Sequence, residues 1–161
     1  MSFHVRTTCR LCGSSDLSTV LDLPPTPLAN EFPIEPARRT GAQEVFPLWL
    51  VACGACGHVQ RPVGVDPARL FRDYVYDSGT SPGFVDHFRR YADSLFPLIQ
   101  ISDLVVEVGS NDGTLLRFFK GAGARVLGID PATDIARKAT ESGVETWPEF
   151  LTDSVADRIV A

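Results

Sequence analysis

Four cysteines, in two Cys-x-x-Cys pairs, constrain this chain more than any other feature: Cys9 with Cys12, and Cys53 with Cys56. Within a pair the short turn lets two thiolates converge on one cation, and two such knuckles complete a tetrahedral shell of four sulfurs. Four protein ligands leave no position for water, so a zinc ion held this way organises structure and does no chemistry. A glycine follows the second cysteine of each pair (Gly13 and Gly57), where the chain must fold back tightly. Two disulfides are the alternative, and four cysteines allow three connectivities. No apolar leader occupies Met1 to Arg6, so the thiols are expected to stay reduced and the chain to be cytoplasmic, which favours zinc.

Around the cysteines the chain reads as three regions: a zinc-binding domain over residues 1–65, a helical connector over 66–101, and a partial α/β domain over 102–161. Between the knuckles, Leu23-Pro24-Pro25-Thr26-Pro27 excludes regular helix. The β-rich run from Glu44 to Val51 leads into the second knuckle, and His58-Val59-Gln60 leaves it. Strand, knuckle and return strand make the hairpin of a zinc ribbon. A module this small buries little apolar surface, so metal binding, worth about 10–16 kcal/mol in such peptides, supplies most of its folding free energy. In the connector, the spacing predicts a short helix from Ala68 to Tyr74. A second helix starts with Ser81 as side-chain cap and Pro82 at the first position. Its apolar face comprises Phe84, Phe88, Tyr91, Leu95 and Phe96.

From Asp103 the pattern alternates strand, loop and helix. Leu104 to Val108 is a buried-type strand, Thr114 to Lys120 a helix, Arg125 to Asp130 a strand, and a helix runs from Pro131 to about Ser142. Val144 to Thr146 reads as a third strand and Asp157 to Ala161 as the opening of a fourth. The fold class is therefore α/β: a zinc-ribbon-like domain, then the first half of a doubly wound, Rossmann-like sheet.

The loop Glu107-Val108-Gly109-Ser110-Asn111-Asp112-Gly113 carries the functional reading. Ligands of open parallel sheets settle beyond the carboxyl ends of the strands, where this loop lies. Gly109 permits a sharp turn and close approach of a ligand; Gly113 lets the next helix pack close. Asp130, ending the next strand, is placed to accept hydrogen bonds from ribose hydroxyls. A dinucleotide site needs Gly-x-Gly-x-x-Gly, but Asn111 stands in the middle glycine's place and Gly113 comes one residue early. Glu107 repels a pyrophosphate and suits a cofactor with a positive end. S-adenosylmethionine, with its ammonium and sulfonium, fits better than NAD. The candidate cofactor residues are Glu107, Gly109, Ser110, Asn111, Gly113 and Asp130.

Taken together, these segments resemble the nucleotide-sugar C-methyltransferases that carry an N-terminal zinc-binding domain before an S-adenosylmethionine domain. The likeness is carried by Cys9-Arg10-Leu11-Cys12-Gly13, Pro27-Leu28-Ala29-Asn30, the run from Cys53 to Gln60, and Tyr74-Val75-Tyr76-Asp77-Ser78-Gly79-Thr80-Ser81. The glycine loop and Gly128-Ile129-Asp130-Pro131 complete it. The resemblance implies methyl transfer to carbon, often C3 of a 4-keto deoxysugar nucleotide, through an enolate that attacks the sulfonium methyl. It places Tyr76 near the reacting sugar, with His87 as a second candidate. It also implies a longer protein, so this chain reads as an N-terminal fragment that binds zinc, binds cofactor weakly if at all, and does not turn over.

A net charge of −5 and an isoelectric point near 5.1 argue against a nucleic-acid partner. The two arginine doublets, Arg38-Arg39 and Arg89-Arg90, read as solvated faces. No run approaches the ~20 apolar residues of a membrane span. The resemblance implies a sugar nucleotide as the partner; the sequence leaves the oligomeric state open. Two other classes remain: a non-catalytic zinc-ribbon interaction module, and an NAD-dependent oxidoreductase.

Overall fold

Each cysteine knuckle is closed by the same pair of backbone hydrogen bonds. In the computed structural model, which describes residues 3–32 and 43–161, Gly13 N–H donates to the Cys9 carbonyl at 2.9 Å and Cys9 N–H to Ser14 at 2.8 Å. Gly57 N–H donates to Cys53 at 2.9 Å and Cys53 N–H to His58 at 2.9 Å. Gly13 and Gly57 sit at φ +78° and +75° with open space around them. The demand there is conformational: only glycine adopts this φ without strain. The chain forms two compact units, residues 1–70 and 71–161. The Arg38-Arg39 doublet lies outside the described residues.

In the first unit, β1 (Phe3–Val5) pairs antiparallel with β5 (Val63–Val65). A second sheet has the order β2 (Leu17–Thr26), β3 (Phe46–Cys53), β4 (Val59–Gln60), all antiparallel. The β3–β4 hairpin carries the second knuckle in its turn. β2 is an edge strand, and its register slips between Leu23 and Thr26, where Pro24 and Pro25 lie. Prolines lack the N–H a ladder needs and are tolerated at such an edge. The core is small: Phe46, Val51, Val63 and Val65 are buried, with Phe3 edge-on to Phe46 at 6.2 Å. Arg69 covers the Phe46 ring at 5.1 Å while its guanidinium pairs with Glu31 and Glu44.

One polar side chain ties the two knuckles together. Gln60 on β4 is 4% exposed; its Oε1 accepts from Arg10 N–H at 2.8 Å and its Nε2 donates to the Thr8 carbonyl at 3.0 Å. The second knuckle's exit strand thus grips both sides of Cys9.

In the second unit, β6 (Leu104–Val108), β7 (Arg125–Ile129) and β8 (Thr146–Trp147) form a parallel sheet in sequence order. The connections are helices α3 (Thr114–Gly121) and α4 (Thr133–Glu141), giving the Rossmann-like α/β pattern. Side chains alternate across the sheet. Val105 and Val126 pack with Leu116 and Phe119 of α3, whereas Val106, Leu127 and Ile129 pack with Val155 and Ile159 of the last helix. Both faces are therefore covered by helix.

Several sequence expectations are corrected. The predicted fourth strand from Asp157 is the end of a helix, α5 (Asp153–Val160), capped by Thr152 Oγ1, which accepts from Val155 N–H at 3.3 Å. The first helix, α1 (Pro67–Phe71), stops short of Tyr74 and starts from Asp66, whose carboxylate accepts from Ala68 N–H. The second, α2 (Pro82–Leu95), has Pro82 at its start, but Ser81 makes no side-chain cap. The third strand begins at Thr146, after Val144. On α2 the residue sunk in the core is Ala92, while Phe84 and Tyr91 are 39% and 48% exposed. A small residue lets α2 approach α3 closely, which the larger aromatics prevent.

Replacing Gln60 with Ala removes the partner of Arg10 N–H and of the Thr8 carbonyl in a partly buried site, a loss of about 1–2 kcal/mol. We expect a lower denaturation midpoint for zinc-loaded Q60A, with an unchanged slope; an unshifted midpoint disproves the strut role.

Candidate functional site

The four cysteine sulfurs come together, all within 4.8 Å of one another. Cys9 Sγ lies 3.7 Å from Cys56 Sγ, and Cys12 Sγ 3.6 Å from Cys53 Sγ. A regular tetrahedron with Zn–S bonds of about 2.3 Å has edges of about 3.8 Å, so these separations suit one zinc ion. They exceed the ~2.05 Å of a disulfide, and all four cysteines are free. Without a cation the thiols compete. The Cys12 backbone N–H holds Cys9 down to about 7, against burial. Cys56 goes up to about 12: the His58 N–H pulls it down, but Cys12, desolvation, Cys53 and Cys9 together push harder. A divalent ion removes that conflict by stabilising all four thiolates.

The second site is the turn between β6 and α3. Gly109 N–H continues the parallel ladder to the Ile129 carbonyl at 2.7 Å, then the chain bends through Gly109 (φ +75°), Asn111 (φ +51°) and Gly113 (φ +74°). Gly109 has nothing within 4 Å of the place a side chain would take, so its backbone is open to an approaching ligand. A Cβ on Gly113 meets Val144 at 2.9 Å, so this glycine serves close packing. Asp130, just past β7, fixes the loop: Oδ2 accepts from Asn111 N–H at 2.8 Å and Oδ1 from Ala132 N–H at 2.9 Å. Its carboxylate is buried, and the contacts it makes are to backbone.

Glu107 is placed as the sequence suggests, at the carboxyl end of β6 beside Gly128. Its Oε2 is buried with no hydrogen-bond partner, and so is Ser110 Oγ. Burial, then the nearby charges of Asp112 and Asp130, raise the Glu107 carboxyl to about 7. Two unsatisfied polar groups and an open glycine turn are a chemical match for a ligand with hydrogen-bond donors and a cationic end.

Tyr76 lies before the 3-10 turn Ser78–Thr80 and is 42% exposed. His87, on α2, is exposed and stacks on Phe84 at 6.1 Å with planes 12° apart. The structure thus groups Glu107, Ser110, Asn111 and Asp130 around one loop and brings the Tyr76 segment to that loop. Among the described residues His87 has ring contacts to α2's own Phe84 and Phe88 alone. Two supporting residues escaped the sequence reading. Asp112 accepts from Gly79 N–H at 3.0 Å and from Thr114 N–H at 3.1 Å. Arg117 donates to the Asp112 carbonyl at 2.7 Å and to Ser142 Oγ at 3.1 Å. No helix among the described residues is long and apolar enough to cross a membrane.

Residues 9–71 match a methyltransferase-associated family model described as "Putative zinc binding domain". The chain is 36% identical over 153 residues to C-methyltransferase NovU from Streptomyces niveus, an alignment covering 94% of this chain and 36% of NovU. It therefore spans about a third of the length of that curated relative.

Two measurements check the site. Stripping zinc with a chelator, or changing Cys53 to Ser, is expected to unfold residues 1–70 while the α/β unit keeps its circular dichroism; retention of the β-hairpin amides in the metal-free form excludes a structural zinc. Glu107 gives the second. Its folded value lies above its unfolded one, so the folded state holds the extra proton and stability falls as pH rises from about 4.5 to about 7. The loss is at most about 3 kcal/mol, and less with solvent screening. E107Q is expected to flatten this slope in chemical denaturation; parallel wild-type and E107Q profiles contradict it.

Proposed function

We infer, because residues 9–71 match the zinc-domain model and the chain is 36% identical to C-methyltransferase NovU, that it carries the cofactor-binding region of an S-adenosylmethionine-dependent methyltransferase. Its substrate is a 4-keto deoxysugar nucleotide, methylated on carbon. The observation that carries this reading is the glycine turn beyond β6, with the buried, unpartnered oxygens of Glu107 and Ser110 beside an open Gly109. S-adenosylmethionine supplies an electrophilic methyl group when bound.

The chain's own residues supply binding and orientation. Glu107 meets positive charge at the strand tip, and a cation seated there favours its ionised form. Gly109 admits the ligand to bare backbone. Asp130 holds the turn and keeps further lone pairs for hydroxyl donors. The Tyr76 phenol hydrogen-bonds the acceptor's ketone oxygen, while His87 has a poorer claim, since its ring is engaged by Phe84 and Phe88. Orientation of this kind is worth about 7–11 kcal/mol of a bimolecular barrier.

Asn111 weighs against a nicotinamide dinucleotide: its side chain occupies the place where a pyrophosphate needs bare glycine. The acidic balance suits neither nucleic acid nor an anionic membrane surface. We place the protein in the cytoplasm, where its four thiols stay reduced.

Calorimetry on the zinc-loaded chain is expected to detect S-adenosylhomocysteine and not NAD. Heat from NAD alone reverses the assignment, and heat from neither favours a non-catalytic zinc module.

A further inference from the structure

The departure from the glycine spacing at position 111 has a structural use. Asn111 is 9% exposed and its backbone is pinned to Asp130. Its side-chain amide faces the segment that precedes α2. Oδ1 accepts from Ser78 N–H at 2.8 Å, and Nδ2 donates to the Tyr76 carbonyl at 2.8 Å. Both halves of one amide are used on residues two apart, which fixes the segment's register as well as its position. Asp112 takes the next N–H, of Gly79, and a Cβ on Gly79 meets that carboxylate at 2.5 Å. Lys138 of α4 lies 3.5 Å from Asp77. Residues 76–79 are therefore a strap held to the glycine turn by its backbone. The Tyr76 side chain, left out of these contacts, keeps its exposure.

We propose that Asn111 is a positioning residue that couples occupancy of the glycine turn to the placement of Tyr76. The inference rests on the reading of that turn as a cofactor site. Asparagine serves here because it tolerates positive φ and still carries a donor and an acceptor. A ligand that orders the turn between Gly109 and Gly113 orders Asn111, and through it the Tyr76 carbonyl and the Ser78 amide. The acceptor side of the site is thereby set before the acceptor arrives. A glycine in this place gives the same turn with no such link.

Hydrogen exchange of residues 76–80, read by mass spectrometry on the zinc-loaded chain with and without millimolar S-adenosylhomocysteine, tests the coupling. In wild type, ligand is expected to slow exchange of the strap at least several-fold. Asn111→Gly keeps the left-handed turn, and its strap is read at ligand concentrations that calorimetry shows to be saturating, whatever its affinity. Its strap exchanges about tenfold faster or more in either state and no longer responds to ligand. Asn111→Asp keeps the acceptor for Ser78 and loses the donor to Tyr76, so an intermediate response is expected. It carries the test if N111G fails to fold. Ligand binding without any change in wild-type strap exchange overturns the coupling, as does full ligand-linked protection in N111G. Absence of binding by wild type brings down the cofactor reading and the coupling with it. That outcome is told apart by calorimetry alone.

Discussion

Four sulfurs held within 4.8 Å of one another form a stable arrangement only around a cation, and the first unit depends on that. Its apolar core is a handful of side chains around Phe46, and β2 is exposed along nearly its whole length. Against a backbone entropy cost of about 1–2 kcal/mol per ordered residue, such burial is insufficient. The metal closes the balance by joining the loop after β1 to the β3–β4 turn. Gln60 then converts two independent knuckles into one body, since it bonds on either side of Cys9 from the strand leaving Cys56. The division of labour is clean: the cation supplies energy, and the amide supplies geometry.

In the second unit the corresponding constraint is the Asp130 carboxylate. Two backbone N–H groups from separate segments converge on it, one from the turn after β6 and one from the start of α4. A carboxylate accepting from backbone amides makes charge-assisted bonds, about twice as strong as neutral ones. The turn can therefore tolerate positive φ at Asn111 and expose Gly109. Everything nearer the proposed ligand is built on that anchor, including the strap that carries Tyr76.

Local signals were readable wherever the chemistry lay within a few residues. The Cys-x-x-Cys-Gly spacing led to both knuckles, and the β–Gly–α–β alternation led to the parallel sheet. What escaped was either ambiguous or distant. Ile159-Val160-Ala161 is a short apolar run that fits strand or helix equally, and length alone cannot decide it. The deciding residue was Thr152, the cap, lying before the apolar positions. Ala92 was invisible to a search for large apolar side chains because its value lies in being small. The amide of Asn111 binds residues 33 and 35 positions earlier in the chain, a partnership no spacing rule reveals. The same is true of Gln60, whose partners lie 50 and 52 positions away.

At Glu107 the demands of stability and of the proposed site point in opposite directions. A branched apolar residue at this position near the carboxyl end of β6, facing Gly128, packs without the cost of burying a carboxylate. The chain instead carries a carboxylate that burial and two neighbouring acids push to about 7, with one oxygen left without a partner. That choice makes the folded state less stable at neutral pH than the apolar alternative. A cost of this kind persists where a ligand offsets it, and the ligand must bring positive charge or donors to a strand tip beside bare backbone. That is the chemistry the proposed cofactor, with its ammonium and sulfonium, brings to the acid, the unpartnered Ser110 hydroxyl and the open Gly109.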